Sequence, residues 1–205
     1  EKDYDRISIF VEDTKKLDSI CSRINKLTKG SILRAISSKE FEKKSCGDVL
    51  TLSFPGALSA EYLDLVKWSK SAKPNDARKA GVNLAKKSNH NNILICSSVQ
   101  KLSEDVLKGY LLRRYEFSDY RTIENKDMGS VTLMLKRPKD FAEALLEIKS
   151  QVDGVFLTRN LVNEPANILS TVEFSKRLKK LSDLGVSVEI LEEKKLEELG
   201  MNAFL

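Results

Sequence analysis

Apolar residues in this chain recur first at every second position and then at every third or fourth. Ile7, Ile9 and Val11 alternate with Ser8 and Phe10, which predicts a strand. Leu17, Ile20, Cys21, Ile24 and Leu27 recur at helical spacing, with Asp13 or Thr14 as the cap and Gly30 as the stop. Ile32, Leu33 and Ile36 predict a short second helix. Gly47 and Asp48 turn the chain into a strand over 49–54, ended by Pro55 and Gly56. Residues 62–68 read as a strand with apolar positions on both faces. Pro74 opens a helix whose inner face is small, Ala77, Ala80, Gly81, Leu84 and Ala85, and so can pack closely on a sheet. A polar turn at 88–92 leads into the wholly apolar run of Ile93, Leu94, Ile95 and Cys96, typical of a central buried strand.

The second half begins with a helix capped by Ser103, with Val106, Leu107, Tyr110 and Leu111 inward. The aromatic and charged stretch 113–121 is expected to pack that helix end onto the sheet. A turn at 125–129 and a strand at 131–135 follow. Pro138 and Asp140 then open the longest pattern, with Phe141, Ala144, Leu145, Ile148, Val152, Val155, Phe156 and Val162 along one stripe. About 23 helical residues would span about 35 Å, enough to connect two domains. Gly154 costs that helix roughly 1 kcal/mol relative to alanine. Pro165 lacks an amide hydrogen and pushes Glu164 out of helical geometry, so the helix must end near Asn163. Ser170 and Glu173 have capping-box spacing, so a fresh helix starts at Ser170. Beyond it come a helix stopped by Gly185, a strand over 186–190, a short helix stopped by Gly200, and the beginning of a strand at 201–205. Strands alternate with helices throughout, the signature of an α/β sheet covered by helices on both faces.

Composition is that of an ordinary globular protein of 205 residues, 41% hydrophobic and 32% charged. No apolar run approaches the roughly 18 residues of a membrane span. The run at 7–11 is too short for a signal-peptide core. The first residue is Glu1, so the chain is expected to lack its true start, and the incomplete sheet implied after 185 points to truncation at the other end. Cys21, Cys46 and Cys96 are an odd number with no paired spacing, which argues for reduced thiols in a cytoplasmic protein rather than a zinc or disulfide site. The net charge is +5. Lys67, Lys70, Lys73, Arg78, Lys79, Lys86 and Lys87 stand against one acid, Asp76, and form the candidate nucleic-acid contact. No aromatic residue is interleaved after Trp68, and Trp68 itself reads as packing. His90, the single histidine, sits in a polar turn without an orienting partner, so it reads as a solvated side chain. The residues of this chain hold no phosphate loop, no HExxH and no GxSxG. Glu192, Glu193, Glu197 and Glu198 alternate with Lys194 and Lys195 as a salt-bridged solvent face, not a metal site.

The stretch R-N-L-V-N-E-P-A-N at 159–167 carries more than a helix boundary. It resembles the opening of the catalytic domain of the leucyl (cytosol) aminopeptidase family, where the pattern is Arg-Asp-Leu-Val-Asn, any residue, Pro-Ala-Asn. Glu173 and Phe174, the run 185–191 and the run 196–201 agree with it downstream. Residues 108–112, 115–117 and 120–121 look like the family's late N-terminal domain. Asn160 replaces the usual Asp, and Thr171 the usual Pro. The resemblance implies a macro-domain-like mixed sheet flanked by helices over 1–137, a linker helix over 138–163, and the truncated start of an α/β metallopeptidase domain over 164–205. It implies a whole protein that removes N-terminal residues from peptides with free N-termini, using two divalent metals, manganese or zinc, as a cytoplasmic homo-hexamer. The family's metal ligands lie in Lys-Gly/Asp-Ser-Gly-Gly and Asn-Thr-Asp-Ala-Glu-Gly-Arg regions that do not occur here. The expectation is therefore no catalytic, metal or substrate-binding residue, no metal held, and no peptide hydrolysis by this chain alone. A reading from another class is a DNA-binding or oligomerisation module using the basic N-terminal residues, whose DNA affinity would be phosphate-driven and salt-sensitive. Recognition of ADP-ribose through the macro-like fold is a third, set against the missing glycine-rich phosphate loops.

Overall fold

The computed structural model describes residues 4–12, 16–97, 100–120, 122 and 128–204. Its centre is strand β1 (Arg6–Glu12), buried along nearly its whole length. It is flanked in parallel by β3 (Tyr62–Trp68) and β4 (Ile93–Cys96). Strand β2 (Val49–Ser53) pairs antiparallel with β3, and β5 (Val131–Met134) pairs parallel with β4. The order is β2-β3-β1-β4-β5, a mixed sheet of the class the alternating pattern predicts.

Helices α1 (Ser19–Leu27), α2 (Ser31–Ile36) and α3 (Lys39–Glu42) cover one face. There Ile7, Ile9 and Val11 meet Ile24, Ile32, Phe41, Leu63 and Leu65. Asp18 caps α1, accepting from the Cys21 amide at 2.7 Å. This corrects the caps expected from the sequence, Asp13 or Thr14, which lie outside the described residues: the helix begins later, at Ser19. Gly30, in the left-handed region at φ 82°, ends one helix and begins the next.

The other face is covered by α4 (Pro74–Ser88) and α5 (Ser103–Arg113). Phe10, Val66, Trp68, Ile93 and Ile95 pack there against Ala77, Ala80, Leu84, Val106 and Tyr110. Trp68 meets Phe10 edge to face at 5.0 Å and is core, as its sequence context predicts. The small face of α4 does more than approach the sheet. A methyl on Gly81 would lie 2.0 Å from the Val106 carbonyl oxygen, and one on Gly109 would lie 2.2 Å from that of Arg78. Two glycines, one on each helix, thus let α4 and α5 touch backbone to backbone.

One polar network is buried in this sheet. Arg6 donates to both carboxylate oxygens of Asp64, Nε to Oδ2 at 3.0 Å and Nη2 to Oδ1 at 2.9 Å. Thr51 donates to Oδ1 at 2.7 Å and Ser8 to Oδ2 at 3.4 Å. The guanidinium also stacks 4.2 Å from the Tyr62 ring centre. A buried ion pair survives only when its remaining lone pairs are used, and here neighbouring strands supply the donors.

Several expectations are corrected. Ser103 is the first residue of α5, not its cap; its buried hydroxyl lies 2.7 Å from that of Ser97. The stretch after α5, expected to pack on the sheet, places one of its aromatics on a helix: Tyr115 meets Phe156 at 5.1 Å. That helix is α6 (Ala142–Asn163), preceded by a 3-10 turn at Pro138–Phe141. Its 22 residues span about 33 Å. Only Ile148 and Val152 of its apolar stripe are buried, against Leu107; Leu145, Val155 and Val162 are exposed. The turn expected at 125–129 lies outside the described residues over 125–127.

Contacts divide the chain into two compact units, Glu1–Phe156 and Leu157–Leu205, the division falling inside α6. The second unit holds α7 (Thr171–Lys179), a 3-10 turn at Lys180–Leu184, and α8 (Glu193–Glu198). The Ser170 hydroxyl caps α7, accepting from the Glu173 amide at 3.3 Å. Gly185 and Gly200 take positive φ after their helices, as glycine stops do. Among the described residues the strands expected at 186–190 and 201–205 do not form; the first is coil and the second holds a 3-10 turn at Asn202–Phe204. A strand is stable only when a neighbour takes its backbone hydrogen bonds. Among the described residues nothing pairs with either segment.

Candidate functional site

The segment that follows α6 is tied into a small structure of its own. Past Asn163 the chain leaves the helix at Glu164, where Pro165 forbids its continuation. The amides of Ile168 and Leu169 then both bond back to the Pro165 carbonyl at 2.9 Å. Arg177 on α7 spans this turn. Its Nη1 donates to Glu164 Oε1 at 2.7 Å and its Nε to Glu173 Oε1 at 3.1 Å. The Glu164 side chain is only 6% exposed, so its carboxylate depends on this partner more than a surface acid would. The hydrogen bond to Glu164, with that to Glu173 behind it, raises the Arg177 pKa above its ordinary value. The arrangement positions backbone: one guanidinium ties two carboxylates across the turn.

Metal chemistry needs several oxygen, nitrogen or sulfur donors converging on one point. Among the described residues no three His, Cys, Asp or Glu side chains come together in that way. The acids of α8 lie on an exposed face, and Lys195 pairs with Glu198 at 2.9 Å. The residues present do not fit a two-metal centre, and no hydrolytic step is assigned to them.

The thiols are equally unsuited to catalysis. Cys21 and Cys96 are buried and Cys46 is half-buried, all three unpaired as disulfides. Burial pushes the Cys96 thiol up to about 11, with the Asp18 charge adding to it. Burial raises Cys21 as well, reinforced by Asp18, and raises Cys46. A nucleophilic cysteine needs the opposite shift.

Four of the seven basic residues are engaged by partners elsewhere in the fold. Lys67 turns over the Phe41 ring and donates to the Phe41 and Glu42 carbonyls at 3.2 and 3.1 Å, ending α3. Arg78 pairs with Asp105 at 2.9 Å, Lys79 with Asp48 at 2.9 Å and Lys70 with Glu12 at 3.9 Å. The Lys73 amide donates to Asp76 at the start of α4. Lys86 and Lys87 border a shallow depression with Lys44, Asp48 and Asn83. The acids Asp48, Asp105 and Glu12 lie outside the window 67–87 in sequence, so its excess of charge overstates the field it can present. The exposed His90 lies at the end of the turn after α4.

A crevice of about 780 Å³ lies elsewhere, at the carboxyl ends of β1 and β3. The sequence reading did not find it. Its lining comes from segments far apart in the chain, and only strand order brings them together.

Comparison with known proteins adds what geometry leaves open. Residues 156–205 match the cytosol aminopeptidase family, catalytic domain. The chain is 36% identical over 200 residues to the "Probable cytosol aminopeptidase" of Dinoroseobacter shibae, across 98% of this chain and 41% of that protein. Among solved structures, a tomato leucine aminopeptidase mutant superposes with a TM-score of 0.78 at 22% identity, covering 96% of this chain and 43% of its own. A bottromycin maturation enzyme solved in complex with Mn superposes at 0.67 with 18% identity, covering 96% and 40%. These two likenesses are of fold. The chain spans about two fifths of the length of the relatives it matches. Its sequence therefore corresponds to the N-terminal portion of the cytosol aminopeptidase family, with residues 156–205 matching the family's catalytic domain.

Proposed function

We propose that this chain is the N-terminal part of a cytoplasmic aminopeptidase: an N-terminal α/β domain over 1–137, a linker helix over 138–163, and the opening of the catalytic domain over 164–205. In the whole protein the reaction is two-metal hydrolysis of the first peptide bond of substrates with free N-termini, with manganese or zinc, in a homo-hexamer. The observation that carries this reading is the 36% identity over 98% of the chain, confined to 41% of the relative. The manganese of the bottromycin enzyme supports the metal class. In the whole protein two bound metals would supply an activated water and an electrophilic hold on the substrate carbonyl. This chain's own part is architectural: α6 carries the chain out of the sheet domain, and the clamp of Arg177 on Glu164 and Glu173 fixes the turn after it.

The test joins residues 1–205 to the remaining three fifths of the Dinoroseobacter shibae relative. The chimera should release p-nitroaniline from Leu-p-nitroanilide, lose that activity to a chelator and regain it with manganese. The 205-residue chain alone should release none. A well-folded chimera without activity, or metal-dependent turnover by the short chain, overturns the proposal. The DNA-binding reading of the basic residues is weakened by the ion pairs of Lys70, Arg78 and Lys79. Absence of any gel retardation of duplex DNA at low salt would end it.

A further inference from the structure

We infer that the free edge of β2 is a contact between two copies of this chain, each pairing its β2 antiparallel with the other's across a two-fold axis. β2 ends the sheet on that side, and among the described residues no strand pairs with its outer edge. Its hydrogen bonds alternate in direction. The Phe54 amide donates to the Glu61 carbonyl at 2.6 Å and the Lys67 amide to the Asp48 carbonyl at 2.9 Å, so positions 48 and 54 turn toward β3. By the register of this pair, Leu50 and Leu52 turn inward with them. The amides and carbonyls of Val49, Thr51 and Ser53 therefore point outward, and none has a partner among the described residues. Sheets normally shield such an edge with a charge, a proline, a bulge or a covering helix. β2 is Val-Leu-Thr-Leu-Ser, and its pairing with β3 runs without interruption. Beside it Leu50 to Phe54 line an open groove of about 520 Å³ with Ser31, Arg34 and Ser38.

The edge is complementary to itself. With the two-fold axis at Thr51, Val49 lies opposite the partner's Ser53, and Thr51 opposite the partner's Thr51. These are the outward-facing residues, so each facing pair exchanges both of its bonds, about six in all. On the face that carries α1, α2 and α3, Leu50 comes opposite the partner's Leu52, an apolar cross-strand pair. Phe54, 77% exposed, follows the strand directly. Charge agrees with this pairing. Lys44, Lys86 and Lys87 stand by Val49 with Asp48. Asp48 is held by Lys79 at 2.9 Å and Lys44 lies 3.8 Å from Glu40, which leaves Lys86 and Lys87 without an ion partner among the described residues. At the other end of the strand the exposed Glu61, bonded in the ladder to Phe54, has no ion partner among the described residues either. Antiparallel pairing sets the basic end of each copy beside the acidic end of the other, and such complementarity fixes register. A foreign strand could meet the outward amides, but only a second copy supplies both halves of this match. A strand of 5 residues buries less than a standard stable interface, so the dimer is weak. No residue of 156–205 takes part, so this inference stands apart from the peptidase reading.

The experiment is sedimentation equilibrium of the 205-residue chain between about 5 and about 500 µM, a range that spans the affinities of small interfaces. The mass should rise from monomer toward dimer across it. Over the same range the amides of Val49, Thr51 and Ser53 should exchange more slowly with solvent, while those of Leu50 and Leu52, already bonded to β3, should not change. Ser53→Pro removes an outward amide hydrogen and should weaken the dimer about tenfold or more. Ser53→Lys sets a charge against the partner's Lys86 and the partner's Lys87 and should do the same, whereas Ser53→Glu should keep or tighten the dimer. Ser53 is exposed and its backbone bonds point outward, so the fold should survive all three changes. A monomer at every concentration, a dimer that Ser53→Pro and Ser53→Lys leave intact, or equal weakening by Ser53→Lys and Ser53→Glu overturns the inference.

Discussion

The two units of this chain are built on opposite terms. The sheet unit buries apolar side chains on both faces and even a satisfied ion pair. In the second unit no described residue from 157 to 204 is buried, and Val162, Val172, Leu184 and Phe204 stand largely exposed. Yet its helices begin and end where their residues say they should. Ser170 caps, Pro165 breaks, and Gly185 and Gly200 stop. Local signals are therefore enough to place a helix, whereas a core requires partners from elsewhere in the chain. Isolated helices of 9 and 6 residues are marginal in water, so the second unit has little to hold it but these local bonds.

Four measurements would break or sharpen that contrast. The largest effect is expected in the sheet unit, from Asp64→Ala. It strands the Arg6 guanidinium, 4% exposed, with no countercharge and should cost about 3–5 kcal/mol in urea unfolding. A loss below about 1 kcal/mol would mean that the network is not buried as described. The next effect comes from a pair of glycines. Gly81→Ala drives a methyl into the Val106 carbonyl and should cost about 3 kcal/mol, the upper end of overpacking penalties. Gly154→Ala meets nothing within 4 Å and should instead stabilise α6 by roughly 0.5–1 kcal/mol. Equal effects at the two sites would remove the distinction between packed and open helix.

Ser170→Ala acts on the second unit alone. Losing the cap should cost α7 about 1 kcal/mol, seen as faster amide exchange in α7 with β1 and β4 unaffected. Faster exchange throughout, β1 and β4 included, would show a cooperative fold that joins both units. The smallest effect under ordinary conditions is set by pH. Folding raises the Cys96 pKa from 9.0 to about 11, so the unfolded chain releases this proton first. The stability this provides is full below pH 9 and is lost as pH rises toward 11. Cys96→Ala should flatten the alkaline limb of the stability curve, and iodoacetamide at pH 8 should modify half-buried Cys46 well before Cys21 or Cys96. Rapid modification of Cys96 in the native protein would contradict its burial.

The errors of the sequence reading follow the same division. Apolar alternation at 186–190 looks like that at 7–11, but only the latter finds strands on both sides. Sequence order likewise does not show that Asp48, Asp105 and Glu12, from other elements, pair with three of the seven clustered basic residues. The crevice was missed for the converse reason. Lys16, Lys70, Lys101 and Lys136 are unremarked singly and converge only because the parallel strands end side by side. The family resemblance was legible because its letters are contiguous, in the stretch 159–167.

By itself the sequence determined what depends on neighbours within a few residues: helix caps and stops, the break at Pro165, the small face of α4, and the apolar runs of the strands. It also determined the kinship, which is a matter of letters in order. Tertiary structure alone decided which apolar runs became strands, because a strand exists only through its partner's hydrogen bonds. It decided which charges are neutralised, because an ion pair depends on distance in space. It decided, too, that four separate lysines share one crevice, because strand order and not chain order sets what meets at the edge of a sheet.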